Sequence, residues 1–290
     1  MPKTVEEGFR ELLGKLTPSA TETEAAARHR RSIKSCLERA FGITHFFRTG
    51  SFGNGTSISR YSDVDYFAVI PSERLKDNSA ASLAEVRNAL DACFPRTGVR
   101  VNCPAVKVPF GTQEEETTEV VPARFVGTSG VYRVYEIPDC DGGWTRSSPE
   151  AHHGYVTSVD DKLGYKVKPL VRFIKAWKYF NDVPISSFYL ELRVTKYADG
   201  ETSIVYPFDV RGFLAFLDQV DLAKMQDPQG ISGYIRACST EAKLEEARSK
   251  LKTALSRANK AVSAQTGGDT EEAYYWWNMV FNRQFPRYEA

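Results

Sequence analysis

Residues 50–70 read GSFGNGTSISRYSDVDYFAVI, and Pro71 closes the run. The second half, VDYFAVI (64–70), is a β-forming stretch of strand length. Asp63 and Asp65 stand at its head. Residues two apart on a strand share a face, so the two carboxylates project together. Like charges so placed repel and favour the protonated acid unless a cation sits between them. A divalent ion that prefers hard oxygen ligands, magnesium or manganese, is the natural occupant. A pair of solvated aspartates at a strand end has the same sequence, so this spacing by itself leaves both readings open.

The flanking residues add to the first reading. ITHFFRT (43–49) predicts a short strand before the glycine-rich turn. Gly50, Gly53 and Gly55 let the backbone approach a ligand closely. A helix beginning there would aim N–H groups at phosphate, and Ser51 adds a hydroxyl. A third acid, Glu119, lies in TEVVPA (118–123). Two-metal phosphoryl chemistry draws carboxylates from neighbouring strands and holds its ions about 3.5–4 Å apart. On position alone Glu119 also reads as an exposed acid beside the loop QEEETT (113–118). Ser51 has no His/Asp pattern around it and is not read as a covalent nucleophile.

Further out, residues 21–41 predict a helix with Thr21 or Thr23 as its cap, and 81–94 a second. VRVNCPAVKVP (99–109) and TEVVPARFV (118–126) predict paired strands. Residues 127–164 read as loop with some β structure at 131–136. The character changes at VKPLVRFIKAWKYF (167–180), an amphipathic helix with Leu170, Ile174 and Trp177 as its inward stripe and Pro169 in its first turn. Arg172, Lys175 and Lys178 fall on the opposite, basic face. Helices follow over 186–194, 210–219, 241–263 and 271–282. The chain therefore divides into an α/β part, residues 1–165, and a helical part, residues 166–290. A two-lobed molecule with its site in the cleft is the expected architecture.

Composition narrows the function. The 290 residues carry 38 Lys plus Arg against 37 Asp plus Glu, with 42% hydrophobic and 12% aromatic residues. The chain is globular, and its charge balance supplies no bulk drive toward nucleic acid. Direct DNA binding is not expected. No apolar run nears the roughly 18 residues of a membrane span. The five cysteines, Cys36, Cys93, Cys103, Cys140 and Cys238, are scattered and odd in number. This argues against a disulfide framework and for a reducing compartment, the cytoplasm.

At the glycine turn and its acidic strand the sequence resembles the polymerase-β-like nucleotidyltransferases. TEVVPA resembles the third-acid strand of their oligoadenylate-synthase and cyclic GMP-AMP synthase branch. VKPLVRFIKAWKYF with PISSFYLELRV (184–194) resembles the helices that follow the core there. Taken with WWNMVFNRQFP (276–286), the pattern is most similar to the CD-NTases of bacterial anti-phage CBASS systems. The resemblance implies a nucleotidyltransferase core with a mixed sheet followed by a helical domain. It implies two ions, Mg²⁺ or Mn²⁺, on Asp63, Asp65 and Glu119. It implies donor triphosphate on Gly50, Ser51, Lys175 and Ser187, and Phe188 stacked on a base. The substrates implied are ribonucleoside triphosphates (ATP, with GTP or a pyrimidine nucleotide as further candidates). The product would be a cyclic di- or trinucleotide that acts on a downstream effector. A transferase that modifies a tRNA, protein or small-molecule acceptor is the alternative, and a non-catalytic nucleotide sensor is another. The sequence departs from the pattern in having Glu rather than Asp at 119 and Thr at 49.

Of the remaining candidates, His152 and His153 have no further His or Cys near them in sequence and read as a loop or as part of the site wall. Trp144 with Arg146 could contact a nucleotide, although packing is the usual fate of Trp. Trp276 and Trp277 read as packing residues.

Overall fold

The computed structural model describes residues 3–114 and 116–289. The chain forms two compact units. One comprises Pro18–Gly154 with Gln229–Gly233 and carries the main sheet. The other gathers the residues through Thr17, Tyr155–Pro228 and the chain from Tyr234 onward. The first helix, α1 (Val5–Leu16), thus groups with the helical unit, and the division falls at Gly154/Tyr155 rather than at 165/166.

The sheet unit opens with α2 (Ala20–Phe41). Its cap is Ser19, not Thr21 or Thr23. The Ser19 hydroxyl accepts from the Glu22 amide at 3.2 Å and the Glu22 carboxylate accepts from the Ser19 amide at 2.7 Å. The helix starts just after Pro18, where this reciprocal pair satisfies two amides that no helical turn can reach. The order then runs β1 (His45–Arg48), α3 (Gly50–Asn54), β2 (Val64–Val69), α4 (Ser79–Cys93), β3 (Arg100–Asn102), β4 (Ala105–Val108) and β5 (Thr118–Ser129). It ends with β6 (Tyr132–Pro138), β7 (Trp144–Ser147) and the first turns of α5 (Pro149–Lys162).

Strand order is β1-β2-β5-β4-β3, with β6 on the far part of β5 and β7 on β6. The β2–β5 pair is parallel and the others are antiparallel, so the sheet is mixed as expected. Alternation along the central strands separates two faces. Val64, Tyr66 and Ala68 of β2, Val106 and Val108 of β4, and Val120 of β5 pack with Ile33 and Leu37 of α2 and Leu83, Val86 and Leu90 of α4. Phe67, Val69, Ala105, Val121 and Ala123 pack with Tyr135 on the other face.

Residues 127–164 are more ordered than their sequence suggests. Two antiparallel strands and α5 occupy most of the segment. α5 (PEAHHGYVTSVDDK) shows little helical periodicity, yet its Ala151, Val156 and Val159 are buried. Tertiary burial overrides a weak local pattern there.

In the helical unit, α6 (Val167–Phe180) has the limits that the sequence predicts. It is followed by α7 (Ser187–Asp199), α8 (Tyr206–Gln219), a short pair β8 (Met225–Gln226) and β9 (Tyr234–Ile235), α9 (Glu241–Thr266) and α10 (Thr270–Val280). Phe9 of α1 is fully buried here. Its ring lies 5.0 Å from those of Phe173 and Trp277 and 5.2 Å from that of Phe285. Edge-on aromatic contacts of this kind add to simple area burial.

The cysteines contradict the sequence expectation. Cys36 pairs with Cys93 and Cys103 with Cys140 as disulfides, leaving Cys238 as a free thiol. Partners 57 and 37 residues apart in sequence show no motif spacing, and only folding brings them together. The argument for a reducing compartment therefore loses its basis. Among the described residues no helix is long and apolar enough to cross a membrane. Replacing Phe9 with Ala is expected to lower the unfolding free energy by about 3–5 kcal/mol in a urea titration, the usual cost of emptying a buried aromatic site.

Candidate active site

The parallel register of β2 and β5 places Asp65 directly opposite Glu119. The antiparallel register of β4 and β5 places Lys107 opposite Glu119 on the other side. Asp65, Glu119 and Lys107 therefore form one row across three strands, and Asp63 lies two residues before Asp65 on the same face. This face continues into the apolar cluster of Phe67, Val69, Val121 and Ala123. The three acids stand at the end of this hydrophobic stripe.

The electrostatics follow from this packing. Burial pushes the Glu119 carboxyl above the ordinary glutamate range; the Asn102 amide opposes that shift and the nearby Asp63 charge adds to it. Asn102 Nδ2 donates to Glu119 Oε1 at 2.7 Å, and Lys107 Nζ donates to Asp63 Oδ2 at 3.4 Å. Among the described residues no three His, Cys, Asp or Glu side chains converge as a ready-made metal cluster. The donors still suit a hard divalent ion by chemistry and register: they are all oxygens, on one face, from adjacent strands. The Lys107 ammonium lies beside Asp63 and offsets part of the acidic charge. Asn102 and Lys107 were missed in the sequence. The clue was parity, since Lys107 interrupts the strand AVKV (105–108) on the face that the acids use.

The glycine turn adjoins these acids. Thr49 N donates to Asp65 O at 2.8 Å, and the chain then enters α3. Gly50 has φ +58°, and a Cβ there would meet Asp65 Oδ2 at 1.9 Å. Only glycine permits both this backbone angle and this approach. The turn that the sequence reads over 50–62 is thus a single short helix followed by a loop, held against the acidic strand. Ser51 is half-buried in α3. His153, on α5 rather than in a loop, bonds Asn54, the last residue of α3, at 3.1 Å. This supports a positioning part for His153 in the site wall. Trp144 packs under Arg124, whose guanidinium lies 4.9 Å from the ring, and donates to Asp77 O.

The remaining sequence candidates lie in the helical unit. Lys175 is 1% exposed and its ammonium is bonded to the buried Glu191 of α7. It does not stand on a solvated basic face, because α6 is surrounded on nearly every side. Ser187, at the start of α7, accepts from Lys178 Nζ at 2.7 Å and lies 3.1 Å from the Tyr179 hydroxyl. Phe188 is 40% exposed. Lys178, one helical turn after Lys175, also lines a concavity of about 690 Å³ together with Ser186, Arg236 and Lys243. Lys178 is partly exposed, whereas Lys175 is buried.

The raised Glu119 carboxyl has a testable sign. The folded chain binds this proton more tightly than the unfolded chain, so its contribution to stability is full below the unfolded value and is lost as pH rises through the raised folded value. In metal-free buffer, Glu119→Gln is expected to gain melting temperature relative to wild type as pH rises through that interval. Parallel melts across the mildly acidic range check this, and a difference independent of pH would contradict it.

Residues 3–159 match the Second Messenger Oligonucleotide or Dinucleotide Synthetase (SMODS) domain family. Over 177 residues the chain is 27% identical to a probable cyclic nucleotide synthase of Bacillus cereus, covering 59% of this chain and 52% of that protein. The chain thus spans about half the length of that relative. It is 25% identical to a cyclic AMP-AMP-AMP synthase of an Acinetobacter species over 98% of this chain and 86% of that one. The fold is similar to that of Escherichia coli CdnC solved with ATP, with a TM-score of 0.76 at 17% identity, covering 97% and 98% of the two chains. The family match covers more than half of the chain, and the protein belongs to the SMODS family.

Proposed function

We propose that the chain joins ribonucleoside triphosphates into a cyclic di- or trinucleotide with release of pyrophosphate, as a signal in anti-phage defence read by a downstream effector. The observation that carries this reading is the register pairing of Asp65 with Glu119, with Gly50 closed against Asp65. The Acinetobacter relative, matched along nearly all of this chain, is named for an all-adenine trinucleotide. ATP is accordingly the first substrate to test, with GTP and pyrimidine nucleotides beside it. The proposed compartment is the cytoplasm, where ribonucleoside triphosphates are made and used.

In this mechanism Asp63, Asp65 and Glu119 would hold two divalent ions, Mg²⁺ or Mn²⁺. Such ions, when bound, offset phosphate charge and make a ribose hydroxyl more acidic. The α3 turn at Gly50 and Ser51 receives the donor phosphates through backbone amides and the Ser51 hydroxyl. The acceptor oxygen forms a bond to the α-phosphorus as the bond to the β-phosphate oxygen breaks, and the hydroxyl proton passes to solvent. Most of the acceleration comes from positioning and from fixed charge. In the helical unit, Ser187 and Lys178 are proposed phosphate contacts and Phe188 a stacking platform for a base. Lys175 supports them indirectly, its buried pair with Glu191 joining α6 to α7.

Purified protein incubated with the four ribonucleoside triphosphates and Mg²⁺ or Mn²⁺ is expected to yield a phosphatase-resistant cyclic product by mass spectrometry. The Asp63→Asn, Asp65→Asn double variant is expected to yield none while keeping the wild-type circular dichroism spectrum. Product from that variant would rule the site out. Gly50→Ala displaces Asp65 and is expected to cost about a hundredfold in rate, the scale of an ångström misplacement at a reacting centre. A rate within a few-fold of wild type would show that the close approach is incidental.

A further inference from the structure

Two acids of the row, Asp63 and Glu119, are engaged by a cationic and an amide side chain of the protein itself. Lys107, paired in register with Glu119, sends its ammonium past that residue to Asp63 at 3.4 Å. Asn102, at the end of β3, holds Glu119 at 2.7 Å. β3 also places Arg100 in register with Lys107, and the Arg100 guanidinium is bonded to Glu114. The Lys107 side chain is 20% exposed and that of Asp63 is 36% exposed, so the ammonium is partly withdrawn from water at the acids it neutralises.

We propose that Lys107 is a resident counter-ion that competes with the divalent metal for the acidic row and makes metal loading depend on the nucleotide. This rests on the reading of Asp63, Asp65 and Glu119 as the metal-binding acids. In the protein without nucleotide, the ammonium offsets carboxylate repulsion and weakens the attraction for an incoming dication. A nucleoside triphosphate brings its own metal and offers phosphate oxygens as another acceptor for the ammonium, which then leaves Asp63. The four-carbon lysine stem permits such a move without any change in β4. Lys107 is thus a positioning residue whose effect is on the order in which the site fills. The arrangement disfavours metal capture before a substrate is present and keeps the empty row from forcing the strands apart.

The test is Mn²⁺ binding to the full chain, followed by the electron paramagnetic resonance signal of the free ion. Without nucleotide, Lys107→Gln is expected to bind Mn²⁺ about tenfold more tightly than wild type, the effect of removing one charge a few ångströms from a dication under water-like screening. Lys107→Arg keeps the charge and is expected to stay near wild type. Adding an ATP analogue with a non-cleavable α–β linkage is expected to tighten Mn²⁺ binding more in wild type than in Lys107→Gln. Equal Mn²⁺ affinity in wild type and Lys107→Gln, both folded by circular dichroism, would overturn the proposal. If Gln at 107 unfolds the chain, Lys107→Met, which keeps the apolar stem along β4, carries the same comparison. The Asp63→Asn, Asp65→Asn variant separates the two readings: if it binds Mn²⁺ as well as wild type, the metal assignment itself fails. If it does not, a flat Lys107→Gln result falls on the lysine alone.

Discussion

Carboxylates held side by side on neighbouring strands repel each other, and the sheet unit is organised around that repulsion. The parallel pairing of β2 with β5 puts Asp65 opposite Glu119, and the two-residue repeat of the strand adds Asp63 to the same face. The relief comes from β3 and β4, which bring Asn102 to Glu119 and Lys107 to Asp63. The apolar cluster of Phe67, Val69, Val121 and Ala123 on the same face holds the strands in register despite the charges at one end.

The same logic explains Gly50. The acidic strand and the glycine turn must lie close together if one ligand is to touch both. Thr49 pairs with the Asp65 carbonyl, and the next residue has no room for a side chain. The glycine is the steric condition for placing backbone amides beside a carboxylate. His153, reaching Asn54 from α5, braces the far end of the same short helix.

The helical unit solves a different problem. α6 is buried on nearly all sides, so a lysine in its middle cannot remain solvated. Lys175 is instead paired with Glu191 inside the unit. A buried ion pair contributes little net stability, but losing one partner strands the other charge. The pair therefore ties α6 to α7 and fixes the start of α7, where Ser187 and Phe188 stand. The basic group presented near Ser187 is Lys178.

Much of this was legible in the residue order. The β-forming apolar run VDYFAVI and the limits of α6 follow from local pattern, because a strand buried on both faces reads as a short continuous apolar run and a packed helix shows its inward stripe. The acids Asp63 and Asp65 were legible for the same reason, since one strand carries both. Residues 149–162 were not, because their helix depends on burial against other parts of the fold. The cap at Ser19 was displaced by a few residues, as helix starts often are when several Ser and Thr residues compete.

The sequence by itself determined which residues alternate on each strand, where the glycines and acids fall, and the family these features indicate. Only the tertiary structure decided which strands are neighbours. That choice brought Glu119 to Asp65, Lys107 to Asp63, Cys36 to Cys93 and Lys175 to Glu191. Alternation and spacing are properties of one segment, whereas ion pairs, disulfides and shared carboxylate sites depend on contacts between segments far apart in the chain. The packing of apolar faces selects those contacts, and no spacing along the chain encodes them.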